Sequence, residues 1–378
     1  MSSFSLTDLA KIIERDSKDS TYKFALLRGT IDIIQNFPHY RETDGKTISY
    51  PMGLMVLKWI EYYYPLLASE VFIPQKYGDN GQRTIAFRRE FGEVIALYKH
   101  TTSYHGLYSE LKRGMTDKER MSTVLRLLRK LRDTIVKQPM HYIGSAVGMG
   151  GMLYYYNGNR VRNPASLDLN WIIEQMGSFS ISIDFHTVLR DVGTFVAGTN
   201  SIIFKWADFT SNIVPGSEIR ASNIITLLSD LDVERDVLQA KHFYRDILRK
   251  GQVECVWSGR KLNTNMHIDH LLPFSALHNN DLWNLLPSSD AINIKKKDAI
   301  PTKAVLSERK IRDRIIGYWE QLHATFEGQF IRELNISLLG RRLTEPGNWQ
   351  VLGYDGLIEM SEHLIHNRGL TPWNYKTH

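Results

Sequence analysis

The sequence predicts an α+β protein: a mainly helical N-terminal region with a small mixed α/β part, then a β-loop-β-α unit, then a helical C-terminal extension. Three observations carry this. Apolar residues recur at helical spacing as far as Met140. After Met140 the pattern turns to alternation around an Asn-Gly pair. Around "MHIDH" two short β-prone runs precede a polar helical segment. With 378 residues, 43% hydrophobic and without a biased run, the chain is long enough for two or three packed domains.

Residues 1–139 read as a helical bundle with a recognition role. Phe24, Leu27, Ile31 and Ile34 share one helical face. "YPMGLMVLKWIEYYYPLL", interrupted by Lys58 and Glu61, reads as a buried helix that Pro51 opens and Pro65 terminates. No run reaches membrane-spanning length, and the N-terminus carries acids and bases where a secretory signal needs an apolar core. "MSTVLRLLRKLRDTIVK" places Leu125, Leu128, Leu131 and Ile135 on one stripe and leaves Arg126, Arg129, Lys130, Arg132 and Lys137 for the remaining surface. Such a helix suits a phosphate backbone; a solvated charged face is the competing reading.

Residues 140–251 read as a mixed α/β connecting region. "MLYYYNGNRVRN" suggests a hairpin turning at Asn157-Gly158, and "SFSISIDF" alternates Phe179, Ile181, Ile183 and Phe185. Tyr154, Tyr155 and Tyr156 beside Arg160 and Arg162 suit base stacking and phosphate contacts, a reading with which core and hairpin packing competes. "VGMGGM" lacks a following Lys-Ser or Lys-Thr and is not a phosphate-binding loop. A helix from Asp232 to Lys250 stops at Gly251, as a glycine C-cap would require.

Charge and cysteine content bound the chemistry. Lys plus Arg outnumber Asp plus Glu 47 to 41, a net charge of +6 that permits a polyanionic partner without demanding one. A single cysteine, Cys255, excludes a disulfide framework and a four-thiolate zinc site, and fits a reducing cytoplasm.

Residues 252–325 hold the β-loop-β-α unit. "ECVWSGRKLNTNMHIDH" ends in a strand, "LLPFSALHNNDL" is a loop, "WNLLP" is a second strand, and "SSDAINIKKKDAI" starts a helix with Ser288 or Ser289 placed to cap it. Asp269 and His270 end the first strand, Asn284 begins the second, and Asn293 points back from the helix, so the four can converge on one point. Neutral imidazole, with an ordinary pKa of about 6.5, suits His270 as the base that activates water against a phosphodiester. Asp269 and Asn293 offer oxygen ligands, which favour Mg²⁺ or Mn²⁺ over zinc. Residues 326–378 read as a helical extension, and His363 and His366 there lack the HExxH order of a zinc site.

Asp269-His270, Pro273, Ser275, Asn284, Leu286, Asn293, Lys296, Asp298 and Pro301 together resemble the HNH, or ββα-metal, endonucleases over residues 252–302. The spacing is similar to that of the HNH domain of CRISPR effector nucleases, whose third signature residue is Asn rather than His. The resemblance implies that His270 is the general base, that Asn284 orients it, and that Asp269 and Asn293 hold Mg²⁺ or Mn²⁺. It further implies that Lys296 contacts phosphate; Lys297 beside it is expected to bind nucleic acid as well. Many members brace the hairpin with zinc on paired CxxC motifs. Here Ser258 stands where the second thiol of the first pair belongs and no other cysteine exists, so no structural zinc is expected. Trp257, Leu262, Ile268, Leu271, Trp283, Leu285 and Leu286 supply packing in its place.

The expectation is therefore a cytoplasmic, metal-dependent DNA endonuclease of the restriction or antiphage-defence kind, with double-stranded DNA as partner and no membrane role. Arg126, Arg129, Lys130, Arg160 and Arg162 would grip the strand, and a homodimer or a partner defence protein fits the organisation. An RNase, a nicking enzyme of a mobile element, and a nucleic-acid-binding regulator with a non-catalytic HNH scaffold are the alternatives.

Overall fold

The helix Met52–Leu67 is apolar on nearly every side, and it accordingly lies inside the bundle, with Trp59, Tyr62 and Tyr63 fully buried. Its two charged residues, Lys58 and Glu61, neutralise each other at 2.8 Å. The helix continues two residues past Pro65, because a proline in the last turn interrupts little of the hydrogen-bond ladder that remains. These coordinates come from a computed structural model, which describes residues 4–80, 83–98, 103–151, 153–158, 161–195, 202–213, 219–229, 235–340 and 348–375.

The chain divides into two compact units, Met1–Phe37 with Arg41–Asp232, and Pro38–Tyr40 with Val233–His378. In the first, an antiparallel sheet in the order β1 (Glu42–Thr43), β2 (Thr47–Pro51), β4 (Ser178–Ser182), β3 (Tyr155–Asn157) joins the bundle. Period-two alternation sets its faces: Ile48 and Tyr50 of β2 lie opposite Ile181 and Phe179 of β4, all four buried. Because β2 and β4 pair, Tyr155–Asn157 and Ser178–Ser182 share one sheet with Glu42–Thr43 and Thr47–Pro51, within a compact unit that runs to Asp232. Gly53 tightens the same junction, since a Cβ there would lie 2.0 Å from the Ile172 carbonyl oxygen.

Several local expectations are corrected. β3 pairs with β4, and Asn159 and Arg160, which follow Asn157-Gly158, lie outside the described residues. The alternating run ends at Ser182: Ile183 and Phe185 open the helix Ile183–Phe195, and Ile183 is exposed. The helix before the β-loop-β-α unit is described from Leu238 to Lys250, and Gly251 follows it in extended conformation, φ −172°, without the left-handed geometry of a glycine cap. Ser289 occupies the N-cap position of the helix Asp290–Lys296, yet its side chain makes no capping bond.

In the second unit β5 (His267–His270) pairs antiparallel with β6 (Leu285–Ser288), and the helix Asp290–Lys296 follows directly. Around them Trp257, Trp283 and Leu286 share one core with Trp319 and Leu322 of the helix Arg309–Leu334 and with Tyr354 and Leu357 of the helix Trp349–His366. The expected boundary between residues 325 and 326 falls within Arg309–Leu334, where Phe326 leaves helical geometry (φ −128°, ψ 38°). Residues 348–375 are thus no appendage: their helix enters the common core, and β8 (Pro372–Trp373) pairs parallel with β7 (Ile300–Pro301). No described helix is long and apolar enough to cross a membrane.

Candidate active site

β5 turns Ile268 into the core and, one residue later, presents Asp269, with His270 closing the strand. All three polar groups at this end are buried: Asp269 is 4% exposed, His270 2% and Lys296 1%. An isolated carboxylate could not be held there, and two donors satisfy it. The Trp257 indole N–H donates to Oδ2 at 2.9 Å, and the Lys296 ammonium stands 3.3 Å from Oδ1. Lys296 also donates to the His270 carbonyl at 2.6 Å and lies 5.9 Å from the centre of the Trp257 ring. Lys296 was expected at a phosphate; instead it is the internal counter-ion of Asp269. Lys297 beside it is exposed, at a positive φ of 48°.

His270 is held through Asn280, whose Oδ1 lies 3.4 Å from Nε2 and also accepts the Asp236 backbone N–H at 3.1 Å. An amide oxygen only accepts, so the proton sits on Nε2 and Nδ1 carries the lone pair; Nδ1 is buried without a partner among the described residues. Phe274 packs against the ring at 5.6 Å. Burial, helped by Arg235 and Lys296 and opposed by the Asn280 contact, lowers the imidazole pKa to about 4. The ring is therefore neutral at physiological pH and less basic than the ordinary histidine assumed from the sequence.

Asn284 does not orient His270 by contact. It is fully buried in the turn before β6, and its side chain accepts from Leu272 N at 2.8 Å and donates to Leu272 O at 2.9 Å. It fastens the backbone two residues beyond His270 and shapes the turn that follows the Asp-His pair. Asn293, half-buried on the helix Asp290–Lys296, has a side chain free of hydrogen bonds to the described residues. His267 pairs with Asp290 at 3.2 Å.

Asp269 and Asn293 offer oxygen donors of the kind a hard cation takes, although no cluster of three or more His, Cys, Asp or Glu side chains able to hold a metal ion occurs among the described residues. Each Asp269 oxygen accepts a single hydrogen bond and keeps a lone pair, and the Asn293 amide oxygen is uncommitted. Lys296 opposes this fit, because an arriving cation meets a like charge 3.3 Å from Oδ1.

The hairpin is braced from the helix Arg309–Leu334. Arg314 donates to Val256 O and to Trp257 O, both at 2.7 Å, and the Tyr318 hydroxyl bonds the Glu254 backbone at 2.6 and 2.8 Å. Cys255 is buried, its Sγ 3.8 Å from Ser288 Oγ. Sequence reasoning missed Asn280 and Arg314, and counted Trp257 only as packing. A signal existed for Trp257: a buried indole N–H needs an acceptor, and an acid on the neighbouring strand is one.

The basic residues expected to grip a strand lie in the first unit and differ in their surroundings. Arg126 is exposed and paired with Glu93 at 2.8 Å. Arg129 donates to Val161 O and Asn163 Oδ1. Lys130 is half-buried, Arg162 is exposed, and Arg160 lies outside the described residues. Of the three tyrosines, Tyr154 is buried against Thr30, Tyr156 donates to Met176 O, and Tyr155 is 53% exposed.

Residues 2–228 match the family described as a domain of unknown function, DUF8808, which is more than half of the chain. The chain belongs to the DUF8808 family. The DUF8808 region coincides with most of the first unit. Residues 255–302, wholly in the second, match the HNH endonuclease family, so the segment carrying Asp269, His270, Asn284 and Asn293 is an HNH domain. No curated protein and no solved structure matches the chain.

Proposed function

We propose that this DUF8808 protein is a metal-dependent DNA endonuclease acting through its HNH domain, in restriction or antiphage defence. The observation that carries the reading is the Asp269-His270 pair at the end of β5, beside the helix bearing Asn293, inside the segment that matches HNH endonucleases. His270 Nδ1, which holds the lone pair, takes the proton of the attacking water. Asp269 and Asn293 are the residues that would hold Mg²⁺ or Mn²⁺, and such an ion supplies charge for the phosphate oxygens and the departing alkoxide. Trp257 and Lys296 fix the Asp269 carboxylate, Asn284 sets the turn beyond His270, and the exposed Lys297 would meet a phosphate. Arg126, Arg129, Lys130 and Arg162 supply the sequence-independent grip on the strand.

The test is incubation of the purified chain with supercoiled plasmid and, separately, with folded RNA, in Mg²⁺ and in EDTA. Conversion of plasmid to nicked or linear form in Mg²⁺ alone is the expected result. Cleavage of RNA only, or of plasmid in EDTA, contradicts it.

A further inference from the structure

We propose that the first unit contains a phosphoryl-binding pocket built from Arg129, Arg132 and Arg162. This deepens the nucleic-acid-binding part of the reading above and does not depend on cleavage. The three arginines, with Val161 and Asn163, line a concavity of about 630 Å³. Arg129 and Arg132 lie three residues apart on the helix Lys118–Lys137, hence on one face, and Arg162 arrives from the segment that follows β3.

Their hydrogen bonds leave the concavity short of negative charge. Arg129 is held by two neutral acceptors, Val161 O at 3.1 Å and Asn163 Oδ1 at 2.8 Å. Arg132 gives Nε and Nη2 to a single oxygen of Asp133, at 2.9 and 2.6 Å, while its Nη1 is buried with no partner among the described residues. Arg162 is exposed and makes no hydrogen bond or ion pair with the described residues. Among the described residues, Asp133 is the one carboxylate paired with any of the three.

A buried guanidinium nitrogen without an acceptor is unfavourable, and planar guanidinium forks match phosphoryl oxygens in geometry as well as charge. The volume falls in the range of about 300–1,000 Å³ typical of small-ligand sites, enough for one nucleotide. The shared chemistry is a phosphoryl group, borne by a free nucleotide or by a nucleic-acid strand that places one backbone phosphate at the mouth.

Calorimetric titration of the full chain in EDTA tests this, with a nucleoside 5′-monophosphate, the same nucleoside without phosphate, and a short DNA duplex without terminal phosphates. The monophosphate or the duplex binds saturably and the nucleoside does not. Arg162→Ala, which breaks no hydrogen bond or ion pair to the described residues, and Arg132→Lys, which keeps the charge and loses the fork, each weaken binding by about tenfold or more. Arg89→Ala, an exposed arginine of the same unit outside the concavity, leaves binding within about twofold. Monophosphate binding makes a free nucleotide the source of the phosphoryl group; duplex binding alone makes it a strand. Absence of binding to both overturns the proposal, as does binding that Arg162→Ala and Arg132→Lys leave intact or that Arg89→Ala weakens equally.

Discussion

At the residue scale, Lys296 decides how Asp269 behaves. A lysine in "INIKKKD" reads as a solvated or phosphate-facing cation, and nothing in the local pattern says that the middle member of three is the one turned inward. The reason is tertiary: β5 buries a carboxylate, and a buried carboxylate requires a donor with charge. Lys296→Met leaves Asp269 with only the Trp257 indole, and the expected cost is about 3–5 kcal/mol in EDTA, read by urea unfolding. Because the substitution also removes a like charge from beside Asp269, added Mg²⁺ should restore more stability to the variant than it adds to the wild type. An unchanged midpoint would contradict the role of Lys296 as the counter-ion of Asp269. Asn284 carries a second residue-level prediction. Asn284→Ala unpairs the N–H and C=O of Leu272, both buried, at an expected cost of about 2–4 kcal/mol. Asn284→Asp keeps the acceptor but buries a carboxylate oxygen against Leu272 O, so it should lose at least as much, and wild-type stability in either variant would contradict the two-bond account.

At the scale of elements, the hairpin is the point at issue, since two four-residue strands and a seven-residue helix are marginal alone. The strands and the order β-loop-β-α were legible from apolar runs broken by turn residues. The brace was not, because Arg314 lies more than fifty residues from Val256 and its partners are carbonyl groups, which leave no trace in side-chain pattern. Arg314→Met should cost about 2 kcal/mol and raise amide exchange at Cys255 and Gly259, whose N–H groups close the turn. Protection unchanged at those two amides would show that packing alone suffices. The breaks in the next segment were not legible either: "AVLSERKIRDRIIGYWEQLHATF" reads as one helix, whereas the chain leaves helical geometry between Leu306 and Arg309 and again at Phe326.

For the whole molecule, the α+β class and the position of the nuclease segment were legible, the latter because its residue types recur at fixed spacings. The division into units was not: the sheet is completed by β4 more than a hundred residues after β2, and only pairing, not composition, unites them. The account's central claim is that His270, buried and neutral beside Asp269, is the base of a metal-dependent nuclease. Plasmid cleavage in Mg²⁺ under single-turnover conditions, wild type against His270→Ala, tests it most directly, with the unfolding midpoint of the variant measured alongside. The account predicts that the folded variant cleaves about 10²- to 10⁴-fold more slowly. Cleavage by folded His270→Ala at the wild-type rate would contradict it.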